Sequence, residues 1–295
     1  MHVAVLGAGT MGHGIAQLSA MAGHQVQLRD IEAELVEEGL AAVESNLDGG
    51  IERDKLTEQQ KLETLDRLQG TTTLETAVAD ANVVIEAVPE DIEIKHQTLT
   101  DVEAHVSQNA LLASNTSSLS LTEIADALEY PERAVGLHFF NPVHIMELVE
   151  IVVPEQASEG TVERATEFVH GIERTPVEVT DTPGFASSRL GVALGVEAMR
   201  MVETGVASPS DIDTAMELGY NHPMGPIELG DVVGLDVRLD ILTYLREELG
   251  ERFKPPQILK RKVRAGKLGR KTGEGFYVWE NGEIVGPSGD RGESR

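Results

Sequence analysis

Cysteine is absent from all 295 residues. Its absence excludes a disulfide framework and any thiolate-held zinc, and no metal is expected. Long apolar runs are absent too, none approaching the roughly 20 residues that a membrane-spanning helix needs. The opening MHVAVLGAG has neither a basic start nor a cleavage signal, so export is not expected and the cytoplasm is the expected location. Positive charge is scarce. Lys and Arg number 24 against 50 Asp and Glu, a formal charge of −26. The summed field of such a surface repels nucleic acid and anionic membranes, so neither is expected as a partner. Apolar residues still make up 41%, so the acidity does not reflect disorder. An acidic, lysine-poor surface over an ordinary core suggests a salt-rich habitat, where ions screen self-repulsion.

What is present divides the chain in two, and its length is ample for two cores. HVAVL (2–6), QVQLRD (25–30), NVVIEAV (82–88), ALLASN (110–115), AVGLHFF (134–140), LVEIVV (148–153) and VEVT (177–180) read as strands. IAQLSAMAG (15–23), IKHQTLTDVEAHV (94–106) and ASEGTVERATEFVHGI (157–172) between them carry helical spacing. Glu32 to Gln69 reads as a helical hairpin broken at Gly49-Gly50. The alternation predicts an α/β domain over 1–182 with a largely parallel sheet covered by helices. Beyond Asp181-Thr182-Pro183-Gly184 strand signals nearly vanish, and the helical segments 188–205, 210–219 and 234–250 predict an all-α domain over 183–280. Residues 281–295 are polar and glycine-rich and read as a flexible tail.

VAVLGAGTMGHG places Gly7, Gly9 and Gly12 in G-x-G-x-x-G spacing. The match follows an expected strand and opens an expected helix, and a second strand ends at Asp30. These contexts give the spacing its meaning as a Rossmann-type nucleotide loop. Gly7 permits a tight turn, Gly9 lets backbone approach a pyrophosphate, and Gly12 allows close packing of helix on sheet. Asp30 would accept hydrogen bonds from a ribose hydroxyl and repel a 2′-phosphate, which favours NAD over NADP. Thr10 and Met11 lie within the same loop.

In LHFFNPVHIMELVE (137–150) a histidine ends one apolar run and a glutamate lies in the next. On spacing alone the pair reads equally as a turn residue and a solvated acid. EAVPEDIEIK (86–95), ASNTSSLSLTEIA (113–125), TPGFASSRL, NHPMGPIELGDVVGLDV (221–237) and GKLGRKTGEGFYVW complete a series. Its order resembles that of the 3-hydroxyacyl-CoA dehydrogenases from residue 1 to about 280. The resemblance implies that His138 is the base taking the substrate's hydroxyl proton and that Glu150 orients its imidazole. It implies that Ser117 hydrogen-bonds the C3 oxygen beside the nicotinamide and that Asn141 holds cofactor and substrate together. Asn115, Glu90 and Lys95 would line the cofactor. Without the resemblance, Ser117 reads as a helix cap and Glu90 and Lys95 as a surface pair.

Three positions depart from the family pattern. Ser188 stands where asparagine is usual near the substrate, His144 replaces a proline, and Glu147 replaces a lysine. The implied partner is an acyl-CoA thioester, whose phosphates need bases that are scarce in 31–70; Arg53 and Lys55 are candidates, with Ser45 and Asn46. The apolar helices of the second domain suggest a homodimer. The implied activity is reversible oxidation of an L-3-hydroxyacyl-CoA with NAD, with a dehydrogenase of a free hydroxy or sugar acid, or a non-catalytic NADH-binding protein, as competing readings.

Overall fold

The computed structural model describes residues 1–289, which form two compact units, the first Met1–Thr182 and the second starting at Pro183. In the first unit the strands are β1 (His2–Leu6), β2 (Gln25–Arg29), β3 (Leu68–Thr71), β4 (Val83–Glu86), β5 (Leu111–Ser114), β6 (Ala134–Phe139), β7 (Leu148–Val153) and β8 (Thr175–Thr180). The helices are α1 (Thr10–Met21), α2 (Ala33–Glu52), α3 (Glu58–Asp66), α4 (Leu74–Val78), α5 (Ile92–Glu103), α6 (Leu121–Asp126) and α7 (Glu159–Gly171). The strands form one sheet in the order β3-β2-β1-β4-β5-β6-β7-β8. Every neighbouring pair is parallel except β6 and β7.

The buried pattern explains the parallel sheet. β4, β5 and β6 are buried at every position, as strands covered on both faces must be. Leu28, Val43, Leu47, Ile85, Leu111 and Phe168 belong to the core that closes over them.

Two expectations for this unit are corrected. The Gly49-Gly50 pair does not break the helix: α2 runs through it, because Gly50 gives room to Leu56 and Gly49 lies under the Arg53 guanidinium. The chain turns instead at Asp54, which has a φ of 54°. β3 carries the sequence LQGT and was not foreseen, being short and mostly polar. Gly70 sits in it because a Cβ there would come within 2.4 Å of Val36.

The second unit contains α8 (Ser187–Glu203), α9 (Pro209–Tyr220), α10 (Pro226–Val233), α11 (Leu235–Leu249) and α12 (Gln257–Arg264), with a hairpin of β9 (Tyr277–Glu280) and β10 (Glu283–Pro287). The unit is helical as expected, and the hairpin adds to it and corrects the loose tail from 281: Asn281-Gly282, both at positive φ, reverse the chain, and the backbone pairs on. Residues 290–295 of the expected tail lie outside the described residues. Two buried carboxylates tie this unit together. Asp213 accepts the N–H groups of Ile227 and Glu228 at the start of α10 and the Tyr277 hydroxyl. Asp231 accepts from the Phe276 and Tyr277 N–H groups and the Trp279 indole. Burial pushes both acids above the usual carboxylate range despite these donors.

Candidate active site

β1, β4, β5 and β6 are parallel neighbours, so the loops that follow them share one edge of the sheet. Strand order reverses between β1 and β4, the place where open sheets of this kind hold ligands. The three loop glycines do different jobs there. Gly7 has a φ of 99°, and a Cβ on it would lie 2.5 Å from the Ala87 carbonyl oxygen. A Cβ on Gly12 would lie 1.7 Å from the Gly7 carbonyl oxygen, whereas one on Gly9 would meet nothing within 4 Å. Gly7 and Gly12 therefore let β1, β4 and α1 close together, while Gly9 leaves open space at the helix start. That start, at Thr10 and Met11, has no side-chain cap and no acid in its first turn. Its N–H groups and positive dipole end fit an anion such as a dinucleotide's pyrophosphate. Asp30 stands against this loop, its Oδ2 accepting the Ala8 N–H at 2.6 Å and its Oδ1 that of Ile31 at 2.7 Å. Part of its acceptor capacity thus holds the loop itself.

At the ends of β4 and β5 a charge network fixes the serine loop. Glu90 Oε1 accepts from the Thr116 hydroxyl at 2.6 Å, from the Ser117 N–H at 2.9 Å and from the Ser118 N–H at 3.2 Å. Burial pushes the Glu90 carboxyl up, but the Lys95 charge and these donors outweigh it and hold the group below the usual range. Lys95 is buried, against its reading as one of a surface pair. Its side chain is 1% exposed, with Nζ 2.8 Å from Glu86 Oε1 and 3.3 Å from Glu90 Oε2. A buried ammonium needs such partners, so its charge acts through Glu90. Glu86, fully buried at the end of β4, also accepts from Ser114 and the Val88 N–H. Sequence reading missed it, although an acid inside the apolar run VVIEAV was the available signal. Ser117 does not cap α6; Ser120 does. Asn115 joins two strand ends, its Oδ1 accepting the Phe139 N–H at 2.9 Å.

β6 and β7 run antiparallel with His138 directly opposite Glu150. His138 Nδ1 lies 2.8 Å from Glu150 Oε2, with the two side chains 8% and 1% exposed. The Phe140 ring tilts against the imidazole, 4.5 Å between centroids. Asn141 follows, exposed, ahead of a cis bond to Pro142. Arg53 and Lys55 are exposed at the turn after α2. Asn46 donates to Gln17 within the α1–α2 packing. Ser188 lies in the first turn of α8, in the second unit.

A place for nucleotide phosphates, and on the same sheet edge an imidazole held by a carboxylate, define a dinucleotide-dependent oxidoreductase. More narrowly, the chain belongs to the 3-hydroxyacyl-CoA dehydrogenase family, whose NAD-binding domain matches residues 2–182 and whose C-terminal domain matches 184–279. A 3-hydroxybutyryl-CoA dehydrogenase of Clostridioides difficile is 40% identical over 278 residues, spanning 94% of this chain and 99% of that one. The mitochondrial hydroxyacyl-coenzyme A dehydrogenase of Rattus norvegicus is 40% identical, spanning 95% and 91%. The crystal structure of (S)-3-hydroxybutyryl-CoA dehydrogenase from Ralstonia eutropha, 39% identical, superposes with a TM-score of 0.91 over 95% of this chain and 99% of that one. Among the described residues no helix is long and apolar enough to cross a membrane.

Proposed function

We propose that this chain reversibly oxidises an L-3-hydroxyacyl-CoA to the 3-ketoacyl-CoA. NAD supplies the hydride acceptor. The reading is carried by the buried His138–Glu150 pair, which sits on the sheet edge that also bears the glycine loop. With Nδ1–H donated to Glu150, the imidazole carries its lone pair on Nε2, the nitrogen that takes the hydroxyl proton. Glu150 orients the ring and stands beside the imidazolium so formed. Ser117, whose backbone Glu90 fixes, donates to the C3 oxygen, and Asn141 helps hold the reacting groups together. Asp30 receives the adenosine ribose. Ser188 takes the place of a longer amide near the substrate, and a water completes its reach.

His138→Gln should abolish nearly all reduction of acetoacetyl-CoA while NADH binding, read by fluorescence titration, is unchanged. Near-normal turnover in that variant would remove His138 from the chemistry. Free acetoacetate assayed beside the thioester separates this activity from that of a free-acid dehydrogenase. The protein works in the cytoplasm as a homodimer built on the second unit, where Leu190, Leu218, Tyr220 and Leu229 are exposed. Sedimentation equilibrium at several concentrations tests the dimer, and a monomer throughout would reject it.

A further inference from the structure

Four buried polar side chains, Glu86, Lys95, Ser114 and Thr116, lie beneath the loop that carries Ser117 and are not used in the chemistry proposed above. Each is at most 1% exposed. Glu86 and Ser114 stand opposite one another at the ends of β4 and β5, and the Ser114 hydroxyl donates to Glu86 Oε2. Ser114 Oγ in turn accepts the Thr116 N–H at 3.3 Å. That is the short arm of a ring. The long arm starts at the other carboxylate oxygen. Glu86 Oε1 holds Lys95 Nζ at 2.8 Å, Lys95 Nζ lies 3.3 Å from Glu90 Oε2, and Glu90 Oε1 takes the Thr116 hydroxyl at 2.6 Å. The ring closes on Thr116, the residue before Ser117. Thr116 Oγ1 also accepts the Leu119 N–H at 2.9 Å, so residues 116–119 fold around a residue that the ring grips at two atoms. A further bond reaches the nucleotide loop. Glu86 Oε1 accepts the Val88 N–H at 2.8 Å, and that nitrogen would stand 3.1 Å from a Cβ on Gly7. The turn packed on the glycine loop and the loop bearing Ser117 therefore take their positions from one carboxylate. Stability alone does not account for this arrangement, because apolar side chains of similar volume replace a buried ion pair at little or no cost. An apolar pair would neither orient the Ser114 hydroxyl nor hold Glu90 in place.

We propose that Glu86 is a positioning residue for the reaction. Acting through Ser114 on one side and through Lys95 and Glu90 on the other, it sets where the Ser117 hydroxyl stands. The inference rests on the function proposed above, in which that hydroxyl donates to the substrate's C3 oxygen. Glu86 itself is fully buried and acts only through these neighbours. A donor displaced by a fraction of an ångström leaves the substrate bound but poorly aligned, so its loss falls on kcat more than on KM.

Ser114→Ala cuts the short arm and leaves both buried charges paired. In reduction of acetoacetyl-CoA it should lower kcat about tenfold, the equivalent of one hydrogen bond. KM, and NADH affinity read by fluorescence titration, should stay within about twofold of the parent. Glu86→Gln weakens both arms and should lose more. Two double variants separate positioning from a general loosening of the fold. In a Ser117→Ala background Ser114→Ala should cost nothing further, since it acts through a hydroxyl no longer there. In a Glu86→Gln background it should cost less than it does in the parent. A parental kcat in Ser114→Ala, losses that multiply in the Ser117→Ala background, or a loss confined to NADH affinity would each overturn the proposal. Should Glu86→Gln not fold, the Ser114 and Ser117 variants decide alone. A parent that reduces no thioester defeats the proposed function instead, and positioning is then read by hydrogen exchange. The amides of residues 116–119 should exchange about tenfold faster in Ser114→Ala while those of β1 keep their rates; equal rates for the loop in both proteins would reject the role of Glu86.

Discussion

Gly9→Ala and Gly12→Ala, three residues apart in one loop, should have opposite consequences. At Gly12 the new methyl would stand 1.7 Å from the Gly7 carbonyl oxygen, where real Cβ contacts essentially never fall below 3.0 Å. The shortfall is 3.0 − 1.7 = 1.3 Å, and the obstacle is backbone. Gly7 cannot yield easily, since its N–H is bonded to the Arg29 carbonyl at 2.8 Å and its φ is 99°. Helix α1 must then lift from the sheet. Overpacking of this kind costs about 3 kcal/mol or more, which for a domain of this size lowers Tm by roughly 6–12 °C. At Gly9 the methyl meets nothing within 4 Å and the backbone, at φ −65° and ψ −168°, suits any residue. Stability should hold or rise by up to about 1 kcal/mol, because alanine restricts the unfolded chain. The same methyl occupies the space a pyrophosphate needs, so NADH affinity should fall by on the order of a hundredfold, about 2.7 kcal/mol. Calorimetric melting and NADH fluorescence titration read the two effects separately. A Gly9→Ala protein that binds NADH as the parent does, or a Gly12→Ala protein that melts as the parent does, would refute this division of labour.

Glu150→Gln keeps the shape of the pair but removes the charge that stabilises the imidazolium, so kcat should fall by roughly 10²–10⁴-fold with NADH affinity unchanged; a change under tenfold would detach Glu150 from catalysis. Lys95→Met leaves Glu86 buried without its cation and should destabilise the first unit by about 3–5 kcal/mol in urea unfolding, and adding Glu86→Gln should restore part of the loss. Glu90 has a folded-state pKa below its unfolded value, so its stabilisation is complete above the usual carboxylate pKa and disappears as pH falls through the folded value. The stability gap between parent and Glu90→Gln should therefore be widest at neutral pH and close in acid; a gap that does not vary with pH would contradict the network. With a formal charge of −26, the protein should lose Tm progressively on dialysis from molar salt to low salt, and a melting curve indifferent to salt would reject a halophilic origin.

The elements that sequence exposed were those whose cause is local. VAVL, VVI and LLA are unbroken apolar runs because both faces of their strands are covered, and the glycine loop is legible because its spacing encodes steric needs. What stayed hidden depends on distant partners. LQGT becomes β3 only because β2 offers it an edge. Gly49-Gly50 looks like a break until Arg53 and Leu56 are seen filling the space beside it. Lys95 reads as a surface residue until Glu86 is known to point inward at it. Asp213 and Asp231 look like ordinary surface acids, and only the fold brings donors to them from α10 and β9. The pairing of His138 with Glu150 was open on spacing alone and came from resemblance, since nothing local tells that β7 runs against β6.

That reversed strand separates two demands that enzymes usually must satisfy with the same residues. His138 and Glu150 face each other because ladder hydrogen bonds set their register, not because the turn joining them has a particular length. Residues 140–147 can therefore lengthen, shorten or change character over evolutionary time, reshaping whatever the loop touches, while the His138–Glu150 pair stays intact. Variation in specificity within such a scaffold should concentrate in that connection.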